Sequence, residues 1–407
     1  MKLIKRNDNI YIFPLLFIGI MYICSIAQDP SFGDSLVFTI QGYKGFEFSS
    51  NATNHILFSN FLSLLHKIFP FVEVHFLFVG VCILSGILSL FYLGRLLNLL
   101  DISPRSSLIC IMILGLSFTF WRQAIITEVY TFYLLFSILY LINLFKFVQS
   151  KEIKYFYYLS FLLGILFLIH IQTILFLPLY LYFIFRNFTI LKMHIIYGGI
   201  ITGLLFSVLL IPVFMGRNTF ISIFTDNSYE DSIFNYDPSI ILKSIIRNLV
   251  FLIYNFLFFI VFLFWGLKNK THLDYIAIGI IPFLVFCIKH NVSDGYVFQL
   301  IPYVFLLILM GRGLDYFPKI YIILPLFFPV IYFTSYKIVE KTSLGKTFDK
   351  EKYYKGGTRY MLFPPLNGNP DWDYFINKYK GGALYNDPNL KYLDSSIREW
   401  DEIRKKN

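Results

Sequence analysis

Twelve side chains have types and spacings that could do chemistry. Two are carboxylates: Asp34 in Phe32-Gly33-Asp34-Ser35, and Glu128 in Phe120-Trp121-Arg122-Gln123-Ala124-Ile125-Ile126-Thr127-Glu128-Val129-Tyr130. A carboxylate near lipid yet wetted stays ionised and can take the proton of an incoming hydroxyl. Arg122, Gln123 and Tyr130 share the second stretch, while His55, His170 and Gln172 stand in apolar surroundings. The run Lys289-His290-Asn291-Val292-Ser293-Asp294-Gly295-Tyr296 gathers Lys289, His290, Asp294 and Tyr296 into a short hairpin, where the two cations suit a phosphate and Asp294 offers a further acid. Each has a plain structural reading beside the chemical one. Asp34 can cap a helix that starts at Ser35, Arg122 and Glu128 can pair to close a bundle, His170 can be a satisfied core residue, and the hairpin can be an ordinary solvated loop. Asp29, ahead of Pro30, reads as turn chemistry. Asp34 and Glu128 together could hold a divalent metal ion, a two-ligand suggestion with no supporting spacing.

These groups must be positioned by elements that live in lipid. Of 407 residues 57% are hydrophobic and 15% charged, and the mean hydropathy is +0.64, which excludes an ordinary water-soluble core. A span needs roughly 17 to 25 mainly apolar residues. Eleven such runs are expected: Ile10–Ala27, Phe71–Leu93, Ser107–Trp121, Val129–Phe147, Tyr157–Ile169, Ile171–Phe185, His194–Met215, Ile245–Gly266, Tyr275–Ile288, Val297–Gly311 and Ile320–Thr334. The first is read as a retained helix rather than a cleaved leader, because many spans follow it. The expected fold class is therefore an all-α polytopic membrane protein, with a transmembrane unit over 1–334 and a C-terminal segment over 335–407.

Charge sets the orientation. With the amino terminus in the cytosol, 14 of the Lys and Arg residues before position 335 fall on inward segments and 7 on outward ones. The tail, which holds another 14 of the 35 basic residues, then lies outside the membrane on the non-cytosolic face, with ten of the fifteen acids that precede it. The net charge of +10 marks span ends and not a nucleic-acid footprint. In the first outward loop, Gln28 to Pro70, the apolar Leu57, Phe58, Phe61, Leu62, Leu65, Ile68 and Phe69 recur at three and four. Ser59, Ser63, His55 and His66 share another face, so the spacing predicts an amphipathic helix along the interface. It serves either as a simple re-entry helix or as a shelf for a lipid-linked molecule. The four cysteines have no metal-like spacing, and no phosphate-cradling glycine loop appears. That argues against ATP-driven transport and against a nucleotide-sugar donor.

The order of features resembles the GT-C superfamily of polyprenyl-phosphate-sugar-dependent glycosyltransferases: a basic start, one span, an outward loop with an Asp, an interfacial helix, then many spans. The stretch from Phe120 to Tyr130 is similar to the signature of a bacterial multi-pass family related to the animal transmembrane protein O-mannosyltransferase. Gly164 with His170-Ile171-Gln172-Thr173, and Asp294-Gly295-Tyr296 with Pro302, are similar to its later motifs. The resemblance extends over the first 190 residues and more loosely beyond. Two departures concern the choice of donor and acceptor. Ser35-Leu36-Val37 follows Asp34 where the family has a polar pair, and Asn51-Ala52-Thr53-Asn54-His55 stands in place of a His-Pro-Pro-Gly stretch.

The resemblance implies an enzyme of a bacterial inner membrane that moves a sugar from a polyprenyl-phosphate donor to a hydroxyl of a protein, lipid or glycan. Asp34 would be the base and Glu128 the second catalytic acid. Gln123 and Tyr130 would hold hydroxyls, and Arg122, His170, Lys289 or His290 would meet the departing phosphate. The rival expectation is a non-enzymatic flippase or transporter of lipid-linked glycans. A transporter favours an internal repeat with paired broken helices, and the stretch around Trp121 to Tyr130 has no second copy.

Overall fold

The computed structural model describes residues 8–48, 55–224, 237–290, 292, 295–317, 319–380 and 393–406. Among them every regular element is helical. The helices that carry the argument are α1 (Ile12–Ile23), α2 (Asp34–Lys44), α3 (Ile56–Ile68), α4 (Val74–Leu99), α5 (Pro104–Leu116), α6 (Phe118–Ala124), α7 (Tyr130–Ser150), α8 (Ile153–Ile169), α9 (Leu177–Arg186) and α10 (His194–Phe206). They continue with α11 (Pro238–Phe256), α12 (Phe262–Gly266), α13 (Leu273–Lys289), α14 (Leu300–Leu314), α15 (Phe328–Val339), α16 (Ser343–Glu351), α17 (Gly357–Leu362), α18 (Trp372–Lys380) and α19 (Asp394–Arg404).

Among the described residues six helical stretches are long and apolar enough to cross a membrane: Val74–Leu99, Tyr130–Ser150, His194–Phe214, Pro238–Gly266, Gly295–Leu314 and Ile322–Val339. A seventh is added if α5 and α6, bent by 66° at their junction, make one span. Shorter apolar helices, Asn9–Ile23, Ile153–Ile169 and Ile171–Arg186, lie beside them. The chain is thus an all-α membrane protein. The last of these stretches continues as helix to Val339, five residues beyond Thr334.

Burial sorts the helices into an axis and a rim. Almost every residue of the most apolar part of Gly295–Leu314 is buried, whereas few are in His194–Phe214 and Ile322–Val339, which turn residues such as Ile196, Ile200, Leu204 and Val330 outward. An outward apolar surface of that kind is what lipid solvates. The first helix belongs to the bundle: Tyr11, Ile18 and Tyr22 are fully buried, and the Tyr22 hydroxyl donates to the Gly115 carbonyl at 2.6 Å.

Tied helix ends show that successive spans alternate in direction, while α4 and α7 run the same way side by side. At one end Gln149 donates to the Leu99 carbonyl (2.7 Å), Ser103 to Asp315 (2.6 Å), Arg105 to the Phe317 carbonyl (2.8 Å), and Lys151 to Asn187 (2.8 Å). The first loop, the stretch after α6, His170 and the tail meet at the opposite end, as the contacts below describe.

The helix predicted from the spacing of Asn54 to Phe69 is α3, but its polar side does not face water. Ser59 and Ser63 are buried against α2, where Ser63 Oγ donates to the Gly45 carbonyl at 2.9 Å and Ser59 Oγ to Gln41 at 3.4 Å. Leu64 and Ile68 are exposed instead. Serine at those positions allows α2 and α3 to pack closely, while Phe58 and Leu62 of the apolar side are buried in the bundle, Phe58 against Phe132. Gly42 has the same use: a Cβ there would lie 2.5 Å from the Phe78 ring on α4.

Candidate functional site

The stretch from Phe118 to Thr131 is a junction to which most of the molecule is attached. The helix breaks at Ser117, whose backbone is extended (φ −65°, ψ 145°), and α6 starts afresh inside the protein. A helix start leaves N–H groups without partners, which in lipid is costly unless other helices supply acceptors. They do: the N–H of Phe118 donates to the Tyr332 hydroxyl (3.0 Å) and that of Thr119 to the Asn255 side chain (2.7 Å). All seven residues of α6 are buried. Trp121 Nε1 donates to Ser25 Oγ at 3.2 Å, which ties the segment to the end of α1.

Arg122 does not stand where a phosphate was expected. Its Nε donates to the Pro364 carbonyl (3.0 Å), and its Nη2 to the carbonyls of Tyr360 and Phe363 (2.7 Å each). The guanidinium also lies over the rings of Tyr360 (4.4 Å) and Phe118 (5.2 Å). A planar cation with a fixed fork of donors suits a cluster of helix-end carbonyls, and here it fastens the tail into the bundle.

Beyond α6 the chain runs unwound through Ile125 to Glu128, and α7 begins at Tyr130. Glu128 therefore lies two residues ahead of the helix. Its backbone carbonyl accepts from Cys82 Sγ at 3.3 Å, and its residue is 9% exposed. The neighbouring N–H of Thr127 donates to Ser35 Oγ at 3.1 Å. Ser35 follows Asp34, which is exposed and opens α2 after Gly33, whose φ of 116° only glycine adopts readily. The helix starts at Asp34 and not at Ser35, so Asp34 lies in the first turn, where the dipole favours an anion. The two carboxylates are remote along the chain, yet each stands one residue from this hydrogen bond.

A second group of expected residues gathers around His170, which breaks the apolar sequence between α8 and α9 with an extended backbone (φ −155°, ψ 132°). Its ring centroid is 4.6 Å from that of His55, 5.7 Å from Tyr130, 5.3 Å from Tyr133 and 6.3 Å from Phe298. His290 lies 5.1 Å from Phe298, and Gln172 donates to the Phe298 carbonyl at 3.3 Å. The partners fix the tautomers when both imidazoles are neutral. His170 Nδ1 accepts from the Gln172 N–H (3.0 Å), so its hydrogen is on Nε2; His55 Nδ1 lies 3.0 Å from the Ile169 carbonyl and must donate, so its lone pair is on Nε2. The pair thus offers one donor and one acceptor. Burial drives the pKa of His55 down to about 4, and burial with the Arg247 charge does the same to His290.

Five buried polar atoms in these two groups have no hydrogen-bond partner among the described residues: Thr119 Oγ1, Arg122 Nη1, Gln123 Oε1, Thr127 Oγ1 and His170 Nε2. Each such atom costs about 1–3 kcal/mol unless something polar meets it. Tyr296 lies apart, stacked on Phe251 (4.9 Å) and 6.2 Å from Phe118, and Lys289 is half-buried in the last turn of α13. Asp294 falls outside the described residues. No three His, Cys, Asp or Glu residues among the described ones cluster as a metal site, and the donor set of Asp34 and Glu128 does not supply one.

The sequence reading missed several members. Tyr133, Phe298 and Arg247 border the histidines, and only their place in apolar or basic runs could have marked them. Asp29, read as a turn, accepts from Trp400 Nε1 (3.3 Å) and pairs with Arg404 (3.2 Å) of the tail. Burial raises its pKa despite the Arg404 charge. The first loop and the tail thereby form one cap, with Phe32 stacked on Trp372 at 5.2 Å and Lys44 bridged to Glu399 at 2.7 Å.

No family model, curated protein or solved structure matches this chain.

Proposed function

We propose that the chain is a GT-C-like integral-membrane glycosyltransferase of a bacterial inner membrane, which transfers a sugar from a polyprenyl phosphate to an acceptor hydroxyl at the end of the bundle where loop and tail meet. With the bent pair, the three shorter apolar helices and α13 counted as crossings beside the six long stretches, it passes the membrane eleven times and keeps that end outside the cytosol. The observation that supports this reading most is the Ser35 to Thr127 hydrogen bond, because it draws Asp34 and Glu128, each one residue away, toward a common place. Asp34, exposed at a helix start, is the proposed base that takes the acceptor proton as the glycosidic bond forms and the phosphate leaves with its electron pair. Glu128 and Gln123 are the proposed partners of sugar hydroxyls, with Tyr130 beside them. The His170 Nε2–H is the proposed donor to the phosphate, with Lys289 as a nearby cation, since two nitrogens of Arg122 are taken by the tail.

Membranes given labelled polyprenyl-phosphate sugar provide the test. Loss of a general base lowers a rate by roughly 10²–10⁴-fold, so Asp34→Asn should remove most transfer at unchanged protein level. Wild-type transfer by that variant would remove Asp34 as base. Movement of labelled lipid across vesicles with no transfer in the wild type would replace the enzyme with a flippase.

A further inference from the structure

The residue read as a turn, Asp29, lines a cavity of about 410 Å³ between the first loop and the tail. Its wall combines aromatic rings (Phe32, Tyr354, Tyr360, Trp372) with Asp29, Asp371, Asn367 and Lys355. The cavity is built and not a casual gap. Asp29 is held by Trp400 and Arg404, Asn367 Nδ2 donates to the Cys24 carbonyl at 2.8 Å, and Asp371 accepts from the Tyr374 N–H at 2.7 Å. Trp372 is 2% exposed, and its Nε1, a donor that buried tryptophan normally satisfies, has no partner among the described residues.

The lining narrows the ligand by chemistry. With Asp29 already paired to Arg404, Asp371 still offsets the charge of Lys355 in the wall, which disfavours a phosphate or other anion. The carboxylates and amides disfavour an acyl chain, which leaves such groups without partners. A pyranose meets both halves of the wall, because its ring hydroxyls give and accept hydrogen bonds while its C–H face lies on aromatic rings. The volume falls within the range of small-molecule sites, about 300–1,000 Å³. The geometry points to a carbohydrate-binding pocket in the cap, taking a neutral sugar unit of a glycan. If the chain is a transferase, this pocket holds a glycan acceptor, a step that rests on the reading above; the binding itself does not.

The experiment uses the full chain in lipid nanodiscs without any donor, titrated with mannotriose, cellotriose, chitotriose and, as control, inorganic phosphate, with binding followed by calorimetry. Saturable binding of at least one trisaccharide is expected. Lys355→Met, which removes a donor from the wall, and Asp371→Asn, which keeps an acceptor for Tyr374, should each weaken it about tenfold (a loss near 1.4 kcal/mol). Gly203→Ala, on the rim, should leave it unchanged, and because no donor is present the binding is read apart from any transfer. Binding of phosphate alone, binding of no trisaccharide, or trisaccharide binding indifferent to both cap variants would overturn the proposal.

Discussion

At the scale of single residues, the histidines give the sharpest expectation. An imidazole with a pKa of about 4 in the folded chain and about 6.5 when unfolded binds fewer protons folded than unfolded through that interval. Stability is then complete above pH 6.5 and drains away as the pH falls toward 4, by something on the order of 3 kcal/mol for each of His55 and His290. His55 also has a left-handed backbone (φ 49°), which asparagine tolerates. His55→Asn therefore keeps the backbone and a donor for the Ile169 carbonyl while removing the titration. Thermal unfolding of the solubilised protein between pH 7 and pH 4 should show a clearly shallower acid loss in His55→Asn than in the wild type. Equal slopes would mean that this imidazole is not buried against His170. Asp29 runs the other way: its raised pKa makes the folded cap bind the extra proton, so that contribution favours the cap at low pH and fades as the pH rises through the raised value.

Helix pairs are where glycine decides the packing. A Cβ on Gly266 would lie 1.8 Å from the Leu309 carbonyl oxygen, and one on Gly313 would lie 2.0 Å from that of Phe262, so α12 and α14 approach backbone to backbone. Backbone cannot swing aside as a side chain does. Gly313→Ala should cost about 1–3 kcal/mol, as overpacking does, and show as a lower melting temperature. Gly203→Ala, with no neighbour within 4 Å on the rim, should leave it unchanged. A Gly313→Ala protein that melts like the wild type would place the two helices further apart than described. At this scale the sequence was legible where a pattern depends on local composition. The apolar runs, the helix of Asn54 to Phe69 and the break at His170 all follow from periodicity or its interruption. It was illegible where the deciding partner is far along the chain. The break at Ser117 needs Tyr332 and Asn255 as acceptors, and the buried serine face of α3 needs α2. The polar network in which Asn248 receives the Gln299 amide, and Gln299 the Tyr303 hydroxyl at 2.5 Å, leaves no local mark in an apolar run either.

For the whole molecule, the tail is an integral part of the bundle because Arg122 reaches up to it. Leu366 N–H donates to the Ser25 carbonyl (2.8 Å), and Tyr254 OH to that of Leu362 (2.7 Å), so the same short segment of tail closes over α1, α6 and α11 together. Remove residues 340–407 and the guanidinium, 1% exposed, keeps its charge but loses all three carbonyls. An uncompensated buried charge typically costs about 3–5 kcal/mol, a large part of the whole stability of a typical domain. The truncated chain should therefore accumulate poorly. The same argument says how to rescue it: Arg122→Met fills similar space without the charge, so truncation combined with Arg122→Met should accumulate better than truncation alone. In the full-length chain the same substitution should instead destabilise, because it strips three carbonyls of their donor. This reversal of sign, read as membrane-extracted protein and melting temperature across the four chains, is specific to a tail anchored by Arg122. If the substitution acts in the same direction in both backgrounds, the arginine serves something other than the tail, and the phosphate regains its claim on it.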